Sequence, residues 1–358
     1  MNKIFTPILI ALIVLSLAFS GTVSAQAVIT ETDGQGHVLT LAQYPERIAC
    51  LYAFTGHVTA MLGRGDDMVA IVKGLKKDKL LEKIAPQLSS LPVPSAGGVI
   101  HIESLIKTRP DIVFLKPETA GIDQEVEKLK EFGLPYFSAA YSDMQSQMTV
   151  IEAMGRILNR EQKATDFTRY YRQAIARVKA KTDRIPEADK LPVYHAINEP
   201  FRTDGPGTLE ADWTGACNIL NVSVGKKLLE KKRNKRFAGM EQILMWNPEM
   251  IIANENQTAK KILSDPQWAP IKAVKTGRVF TIPVGISRWG HPGGLETPLA
   301  LLWTAKTAYP DLFTDLDLDV EVRQFYRRFF DLNLDDPTIE RILSGQGMRT
   351  THSNNEGR

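Results

Sequence analysis

The chain has 358 residues and a formal net charge of +3. The near-neutral charge argues against nucleic acid as a partner, and the length is sufficient for two domains of roughly 100–200 residues each. Beyond the N-terminal segment, no apolar run approaches the roughly 18 residues that a membrane span requires. The sequence therefore predicts a soluble protein rather than an integral membrane protein.

The N-terminus has the features of a secretory signal peptide. Lys3 gives a positive start, residues 8–18 are almost wholly apolar, and the small residues Val23 and Ala25 follow. We predict a signal peptide at residues 1–25 that is cleaved after Ala25. No cysteine lies at the cleavage site, so no lipid anchor is expected. The mature protein is predicted to be periplasmic, most simply in a Gram-negative bacterium.

Two cysteines, Cys50 and Cys217, are present in the sequence. An oxidising compartment would permit a disulfide between them. They lie in opposite halves of the chain, however, and each is surrounded by apolar residues. We therefore predict two buried free thiols.

The N-terminal half alternates strand patterns with helix patterns. A surface hairpin at residues 34–46 precedes predicted strands at 47–52, 67–72, 111–115 and 136–138, which are short apolar runs suited to burial. Helices are predicted between them at residues 55–62, 76–88, 102–108 and 125–132. This alternation indicates an α/β lobe with a largely parallel sheet.

A long amphipathic helix is predicted at residues 159–183. Its apolar residues follow three- and four-residue steps, and no glycine or proline interrupts it. Beyond it the pattern recurs, with strands predicted at 193–197, 250–253 and 278–282 and helices at 214–220, 241–245 and 265–273. Residues 315–346 are charged with a helical pattern, and residues 350–358 are polar and predicted to be disordered.

The two halves share one detailed pattern. Residues 101–115 match residues 239–253, with Glu103 aligned to Glu241 and Pro110 to Pro248, both at an offset of 138 (241 − 103 and 248 − 110). A constant offset across a helix, its proline stop and the following strand indicates a repeated structural unit. The expected organisation is a signal peptide (1–25), an N-terminal α/β lobe (26–142), a helical linker with the long inter-lobe helix (143–185), a C-terminal α/β lobe (186–312), C-terminal helices (313–349) and a disordered tail (350–358).

These features together resemble the class III substrate-binding proteins of ABC importers, which serve siderophores, haem, cobalamin and some metals or oxyanions. The segments 32–41, 45–48 and 62–71 are also similar to that family, and the likeness covers roughly residues 29–343. The resemblance implies two Rossmann-like lobes with mostly parallel sheets, joined by one long α-helix, with the ligand in a shallow cleft between them. It implies a monomer without a cofactor and without enzymatic activity. The implied partners are an ABC permease dimer with its ATPase and an outer-membrane receptor system.

The resemblance also assigns a role to Glu103 and Glu241. In the cobalamin importer's binding protein, the glutamate at this point of each lobe meets arginines of the permease. By position, Glu103 and Glu241 would be the two docking carboxylates. The alternative is a pair of first-turn glutamates that the helix dipole favours.

The segment 286–294 is the main candidate for ligand contact. It is a glycine- and proline-rich loop that carries Arg288, Trp289 and His291. Arg288 would hold an anion or a carboxylate, Trp289 would stack on a planar group, and His291 would hydrogen-bond the ligand or complete the coordination of an iron. The alternative is a helix-entry loop in which the tryptophan packs locally and the histidine caps a helix at 295–309.

Other cleft positions follow from strand ends, because open α/β sheets bind ligands beyond the carboxyl ends of their strands. These candidates are Tyr52, Phe54, Lys73, Glu118, Tyr141, Arg202, Trp213 and residues 254–256. The basic run at 226–236 is interpreted as a solvated face, with the alternative that Lys235 and Arg236 border the cleft and attract an anionic chelate.

Metal and catalytic patterns are weak. The six histidines are scattered, without an H-x-x-x-H pair, so a site built from several histidines is not expected. Nucleophile-elbow, Walker and complete dinucleotide-binding motifs are absent.

The favoured function is capture of an iron(III)-siderophore or similar metal chelate. Cobalamin, haem, a nickel chelate and molybdate or tungstate remain alternatives, and an exported two-lobed hydrolase using Glu118, Asp204 or Glu255 with His291 is the most remote one.

Overall fold

The computed structural model describes residues 29–231 and 235–349. The predicted signal peptide, the predicted disordered tail and residues 232–234 of the basic run lie outside these ranges. Within them, no helix is both long and apolar enough to cross a membrane.

The N-terminal lobe is built on a four-stranded parallel sheet. Its elements in chain order are β1 (Ile29–Thr32), β2 (Val38–Leu41), β3 (Ile48–Cys50), α1 (Ala53–Met61), β4 (Met68–Ile71), α2 (Lys79–Ile84), β5 (Ser95–Ala96), β6 (Val99–Ile100), α3 (Ile102–Lys107), β7 (Ile112–Leu115), α4 (Pro117–Ala120), α5 (Asp123–Glu131) and β8 (Tyr136–Ser138). The sheet order is β4-β3-β7-β8, with every neighbouring pair parallel. The β3 and β7 strands are wholly buried, as their continuous apolar runs predict.

The linker consists of two helices, α6 (Met144–Ile157) and α7 (Glu161–Thr182). Asp143 caps α6 in a capping box with Ser146, and Asn159 adopts a left-handed conformation (φ 54°) between the two helices. The predicted long helix is therefore confirmed, within two residues at its start. The structure adds α6, which packs antiparallel beside it as a helical hairpin.

The C-terminal lobe repeats the arrangement. Its elements are β9 (Pro192–Ala196), β10 (Arg202–Thr203), α8 (Leu209–Ala216), β11 (Leu220–Asn221), β12 (Leu229–Lys231), β13 (Lys235–Phe237), α9 (Met240–Trp246), β14 (Met250–Ala253), α10 (Asn256–Ser264), α11 (Lys272–Lys275), β15 (Val279–Thr281), α12 (Thr297–Ala308), α13 (Leu318–Phe330) and α14 (Asp336–Leu343). The main sheet has the order β11-β9-β14-β15, again all parallel. When the four strands of each main sheet are numbered by their position in the chain, their order across the sheet is second, first, third, fourth in both lobes. The predicted fold class, two α/β lobes with parallel sheets and a long connecting helix, is confirmed.

The repeat at an offset of 138 is visible in the backbone. The strands β7 and β14 begin at residues 112 and 250, and the helices α3 and α9 begin at residues 102 and 240. Each helix is followed by a residue with positive φ, Arg109 (46°) after α3 and Asn247 (43°) after α9, which lies directly before Pro110 or Pro248. The proline cannot continue the helix, so in both lobes the chain turns sharply into the next strand.

The α7 helix packs along one face. Phe167, Tyr171, Ala174 and Val178 are buried on α6, α12 and α13. The ring of Phe167 lies 5.0 Å from that of Phe329 in a T-shaped arrangement. The helix that precedes α7 in the chain and two helices from the C-terminal part therefore pack against the connecting helix.

The C-terminal segment returns to the N-terminal lobe. The carbonyl of Met348 accepts the N–H of Lys79 at 3.2 Å, and the guanidinium of Arg349 lies 3.1 Å from a carboxylate oxygen of Asp78. Both cysteines are buried and unpaired, as predicted, and burial raises the pKa of the Cys50 thiol to about 12.

Three predicted helices differ from the structure. The segment 76–88 is a short α2 between two 3-10 turns, because Pro86 interrupts it. The helix predicted at 214–220 begins earlier, where Thr208 caps α8, and residues 220–221 form a strand. The segment 265–273, predicted as a helix, instead contains a 3-10 turn at Pro266–Trp268 and the start of α11, and α10 ends just before it at Ser264.

Candidate ligand-binding cleft

A cavity of about 630 Å³ lies between the lobes. Its walls begin directly after β3, β7, β8 and β9, which is the position that open parallel sheets use for ligands. The lining residues are Leu51, Tyr52, Ala53, Val72, Lys116, Pro117, Glu118, Ala139, Tyr141 and Ser142 from the N-terminal lobe, and Ile197, Arg202, Thr203, Asp204, Gly205, Gly207, Thr208, Leu209, Glu210, Lys235, Arg236, His291, Pro292 and Gly293 from the C-terminal lobe.

The loop 285–294 crosses from the C-terminal lobe to the floor of the cavity. The buried carboxylate of Glu296 fixes it by accepting the N–H of Ser287 at 2.9 Å and the hydroxyl of Tyr326 at 3.0 Å. Gly290 has φ 66°, and a Cβ there would lie 2.6 Å from Nε1 of Trp213. Glycine is therefore required at this position for both backbone conformation and packing.

Two tyrosines from the N-terminal lobe hold the same loop. The hydroxyl of Tyr52 donates to the carbonyl of Pro292 at 2.6 Å, and the hydroxyl of Tyr141 also donates to this carbonyl. Burial raises the pKa of both phenols well above the usual range, so both remain neutral donors. Their rings line the cavity while their hydroxyls join the two lobes.

A second contact between the lobes runs through His57. Its Nδ1 lies 3.0 Å from the carbonyl oxygen of Gly293, and its Nε2 lies 2.9 Å from a carboxylate oxygen of Asp78. Both ring nitrogens thus face acceptors inside the protein. The contact ties α1 to the cleft loop and to the segment that precedes α2.

His291 faces the cavity as a neutral imidazole. Its Nδ1 accepts the N–H of Gly293 at 2.9 Å. Burial and then the positive charge of Arg288 hold the pKa of His291 well below its usual value. Arg288 itself does not line the cavity, because its guanidinium forms an ion pair with Glu255 and donates to the amide oxygen of Asn198 at 2.7 Å.

The cationic groups of the cleft differ in how far the protein neutralises them. Lys116 lies 3.1 Å from Glu118, and Arg236 lies 3.2 Å from Glu230. Arg202 and Lys235, by contrast, have no ion pair or side-chain hydrogen bond to any described residue, and both line the cavity. The cleft therefore presents to a ligand two positive charges that are not held in a direct ion pair with any described residue.

Acidic groups lie beside this basic wall. Asp204 accepts from Nδ1 of His195 and from the amide of Asn221, both at 2.9 Å. Burial by itself would lower the pKa of His195, because it disfavours the charged imidazolium. The nearby Asp204 carboxylate stabilises the imidazolium more strongly, so the pKa of His195 is raised. Glu210 is only 7% exposed, and burial followed by the negative charge of Asp204 raises its pKa to about 7.

Several predicted ligand residues lie elsewhere in the structure. Phe54, Trp213 and Trp289 are buried in the core, because each ring packs beneath the cleft surface instead of facing it. The indole of Trp213 donates to the carbonyl of Gly290 at 3.0 Å. Lys73 is exposed in a turn outside the cavity, and the amide oxygen of Asn254 accepts the N–H of Asn198. The burial of Trp289 does not favour stacking on a ligand, and Trp213 does not face the cleft, whereas Tyr52, Tyr141, Arg202 and His291 do line the cavity.

The three acidic residues considered for a hydrolase do not pair with His291. Asp204 pairs with His195 rather than His291, Glu255 pairs with Arg288, and Glu118 is exposed beside Lys116. Among residues 29–231 and 235–349, no three acidic, histidine or cysteine side chains are placed to hold a metal ion.

Sequence reasoning missed Glu210, Lys116 and Pro292. The start predicted for α8 lies too late in the chain, so Glu210 was not recognised as a residue of its first turn. Thr208, which follows the glycines at 205 and 207, is the N-cap that marks the true start of this helix. Lys116 directly follows β7, so the strand-end rule could have found it. The role of Pro292 is carried by its carbonyl oxygen, which no side-chain pattern reveals.

Comparisons with known proteins agree with this geometry. A family model described as "Periplasmic binding protein" matches residues 48–284. The chain is 25% identical to the molybdate-binding protein MolA of Haemophilus influenzae, over 90% of this chain and 95% of that protein. A periplasmic solute binding protein from Veillonella parvula superimposes with a TM-score of 0.75 at 27% identity, covering 88% of this chain and 97% of that one. Helicobacter pylori CeuE in its Ni-His complex has the same fold, with a TM-score of 0.73 at 22% identity over 88% of this chain and 99% of that one. The chain belongs to the periplasmic binding protein family, and it is a substrate-binding protein of an ABC transporter.

Proposed function

We propose that this protein captures an iron(III)-siderophore or a similar anionic metal chelate and delivers it to the membrane permease. The observation that carries the proposal is that Arg202 and Lys235 line a cavity of about 630 Å³ and that neither forms a direct ion pair with any described residue. Such cations form charge-assisted hydrogen bonds with carboxylate or catecholate oxygens. They also attract an anionic ligand over longer distances.

The size and lining of the cavity favour an organic complex. Its volume lies within the range of about 300–1,000 Å³ that is typical of sites for organic ligands. Two tyrosine rings and the apolar side chains of Leu51, Ile197 and Leu209 line it. A tetrahedral oxyanion alone would fill a small part of this space and would leave these apolar side chains exposed to water.

Molybdate or tungstate is the second candidate. The relative MolA is a molybdate-binding protein, which supports this alternative. Arg202 and Lys235 would then be the oxyanion donors, together with backbone N–H groups. Cobalamin, haem and a nickel chelate remain further alternatives within the family.

Docking and export belong to the same proposal. Glu103 and Glu241 are exposed in the first turns of α3 and α9, at equivalent points of the two lobes. We assign them the role of permease-docking carboxylates. We also propose that the protein is exported through the signal peptide at residues 1–25, acts as an unlipidated monomer, and receives its ligand from an outer-membrane receptor system.

Isothermal titration calorimetry of the mature protein tests the ligand class. The panel is a ferric tris-catecholate complex, molybdate, tungstate, cobalamin, haem and Ni(II)-histidine. We expect the ferric complex to bind, and Arg202→Gln and Lys235→Gln each to weaken it about tenfold, since a charged hydrogen bond contributes about 1.5–3 kcal/mol. Lys260→Gln on the exposed face of α10 is the matched control and should leave the affinity unchanged. Binding of molybdate without binding of the ferric complex would contradict the proposal.

A further inference from the structure

Glu210 carries a buried carboxyl group that no other described side chain contacts by an ion pair or a hydrogen bond. It lies in the first turn of α8, lines the cavity and is 7% exposed. Its carboxylate forms no ion pair with any described residue and no hydrogen bond to another side chain. Burying a charged group without a partner is costly, and such groups occur at functional sites.

The surroundings of Glu210 increase that cost. Asp204 contributes a second negative charge, while His195 and Arg202 offset part of it without direct contact, and the neutral phenol of Tyr52 faces the carboxyl across the cleft. One oxygen of the Asp204 carboxylate accepts from His195 and Asn221, and its other oxygen is buried without a partner among the described residues. No hydrogen bond joins Asp204 to Glu210, so the Glu210 carboxylate is an acceptor at the cavity wall that remains open to a ligand.

We propose that Glu210 is a ligand-binding residue that accepts a charge-assisted hydrogen bond from an ammonium group carried by the ligand. The ligand is then bipolar, with an anionic part on Arg202 and Lys235 and a cationic ammonium part on Glu210. This inference rests on the proposed function and narrows it to amine-bearing metal chelates. It also separates such chelates from a bare oxyanion, which Glu210 and Asp204 repel.

Two matched probes test the inference. The first is the ferric complex of a tris-catecholate chelator with one pendant aminoethyl arm, and the second is the same complex after acetylation of that amine. At pH 8 we expect the wild-type protein to bind the amine-bearing complex about tenfold more tightly than the acetylated one. Glu210→Gln should bring this ratio to about one while keeping the affinity for the acetylated complex. Glu199→Gln, an exposed carboxyl outside the cavity in the same lobe, should keep the tenfold ratio.

A second measurement needs no variant. The pKa of Glu210 lies near 7 in the free protein, so the carboxyl is mostly protonated at pH 5.5 and ionised at pH 8. The ratio of the two wild-type affinities should therefore fall at pH 5.5. If both complexes bind equally at pH 8, or if the ratio is constant with pH, the inference is overturned and the proposed function stands. If neither complex binds, the proposed function itself is overturned.

Discussion

Replacement of Glu210 by glutamine should stabilise the ligand-free protein at neutral and alkaline pH. The pKa of this carboxyl rises from 4.5 to about 7 on folding. The folded state therefore holds a proton that the unfolded state releases, so stability is complete below pH 4.5 and declines as the pH rises towards 7. A difference of about 2.5 pH units at about 1.4 kcal/mol per unit corresponds to a cost on the order of 3 kcal/mol above pH 7. Glutamine keeps the shape of the side chain and removes this cost.

The assay is urea unfolding followed by tryptophan fluorescence. All five tryptophans lie beyond residue 212, so the signal reports the C-terminal lobe that contains Glu210. We expect wild-type and Glu210→Gln unfolding free energies to agree at pH 4 and to differ by about 3 kcal/mol at pH 8, with the variant more stable. Glu199→Gln should stay within about 0.5 kcal/mol of the wild type at both pH values. Equal stability of Glu210→Gln and the wild type at pH 8, or a difference that grows towards acid, would refute the reasoning.

The remaining predictions concern docking, the contact between the lobes, and closure. Glu103→Arg with Glu241→Arg should abolish stimulation of the reconstituted transporter's ATPase at unchanged ligand affinity, and undiminished stimulation would reject the docking role. His57→Ala should lower the unfolding free energy by about 2–3 kcal/mol in urea titrations, because it leaves the carboxylate of Asp78 and the carbonyl of Gly293 with one partner fewer. The packing of α7 on three helices predicts only a small change in the radius of gyration by X-ray scattering on ligand binding, and a large compaction would contradict a rigid connection.

The fold could be predicted from the sequence because its signals are local and repeated. The apolar runs of β3, β7 and β14 identify buried parallel strands, and the uninterrupted amphipathic pattern identifies α7. The match between residues 101–115 and 239–253 predicts the internal repeat from the sequence alone. Errors occurred where a helix boundary depends on one capping residue or one proline, as at Thr208 and Pro266.

The cleft was predicted only in part, because its chemistry depends on contacts between distant segments. Arg288 looked free in its loop, but its charge is satisfied by Glu255, 33 residues away in sequence. Trp289 was predicted to stack on the ligand and Trp213 to face the cleft, yet both side chains are buried in the core. Strand ends located Tyr52, Tyr141 and Arg202 correctly in the cavity lining, since that rule depends on sheet topology alone.

Native mass spectrometry with elemental analysis tests the central claim most directly. The protein would be taken from the periplasm of cells that express it and analysed without denaturation. The account predicts a bound mass that contains iron and an organic, amine-bearing chelator. Bound molybdenum or tungsten without an organic component would contradict it.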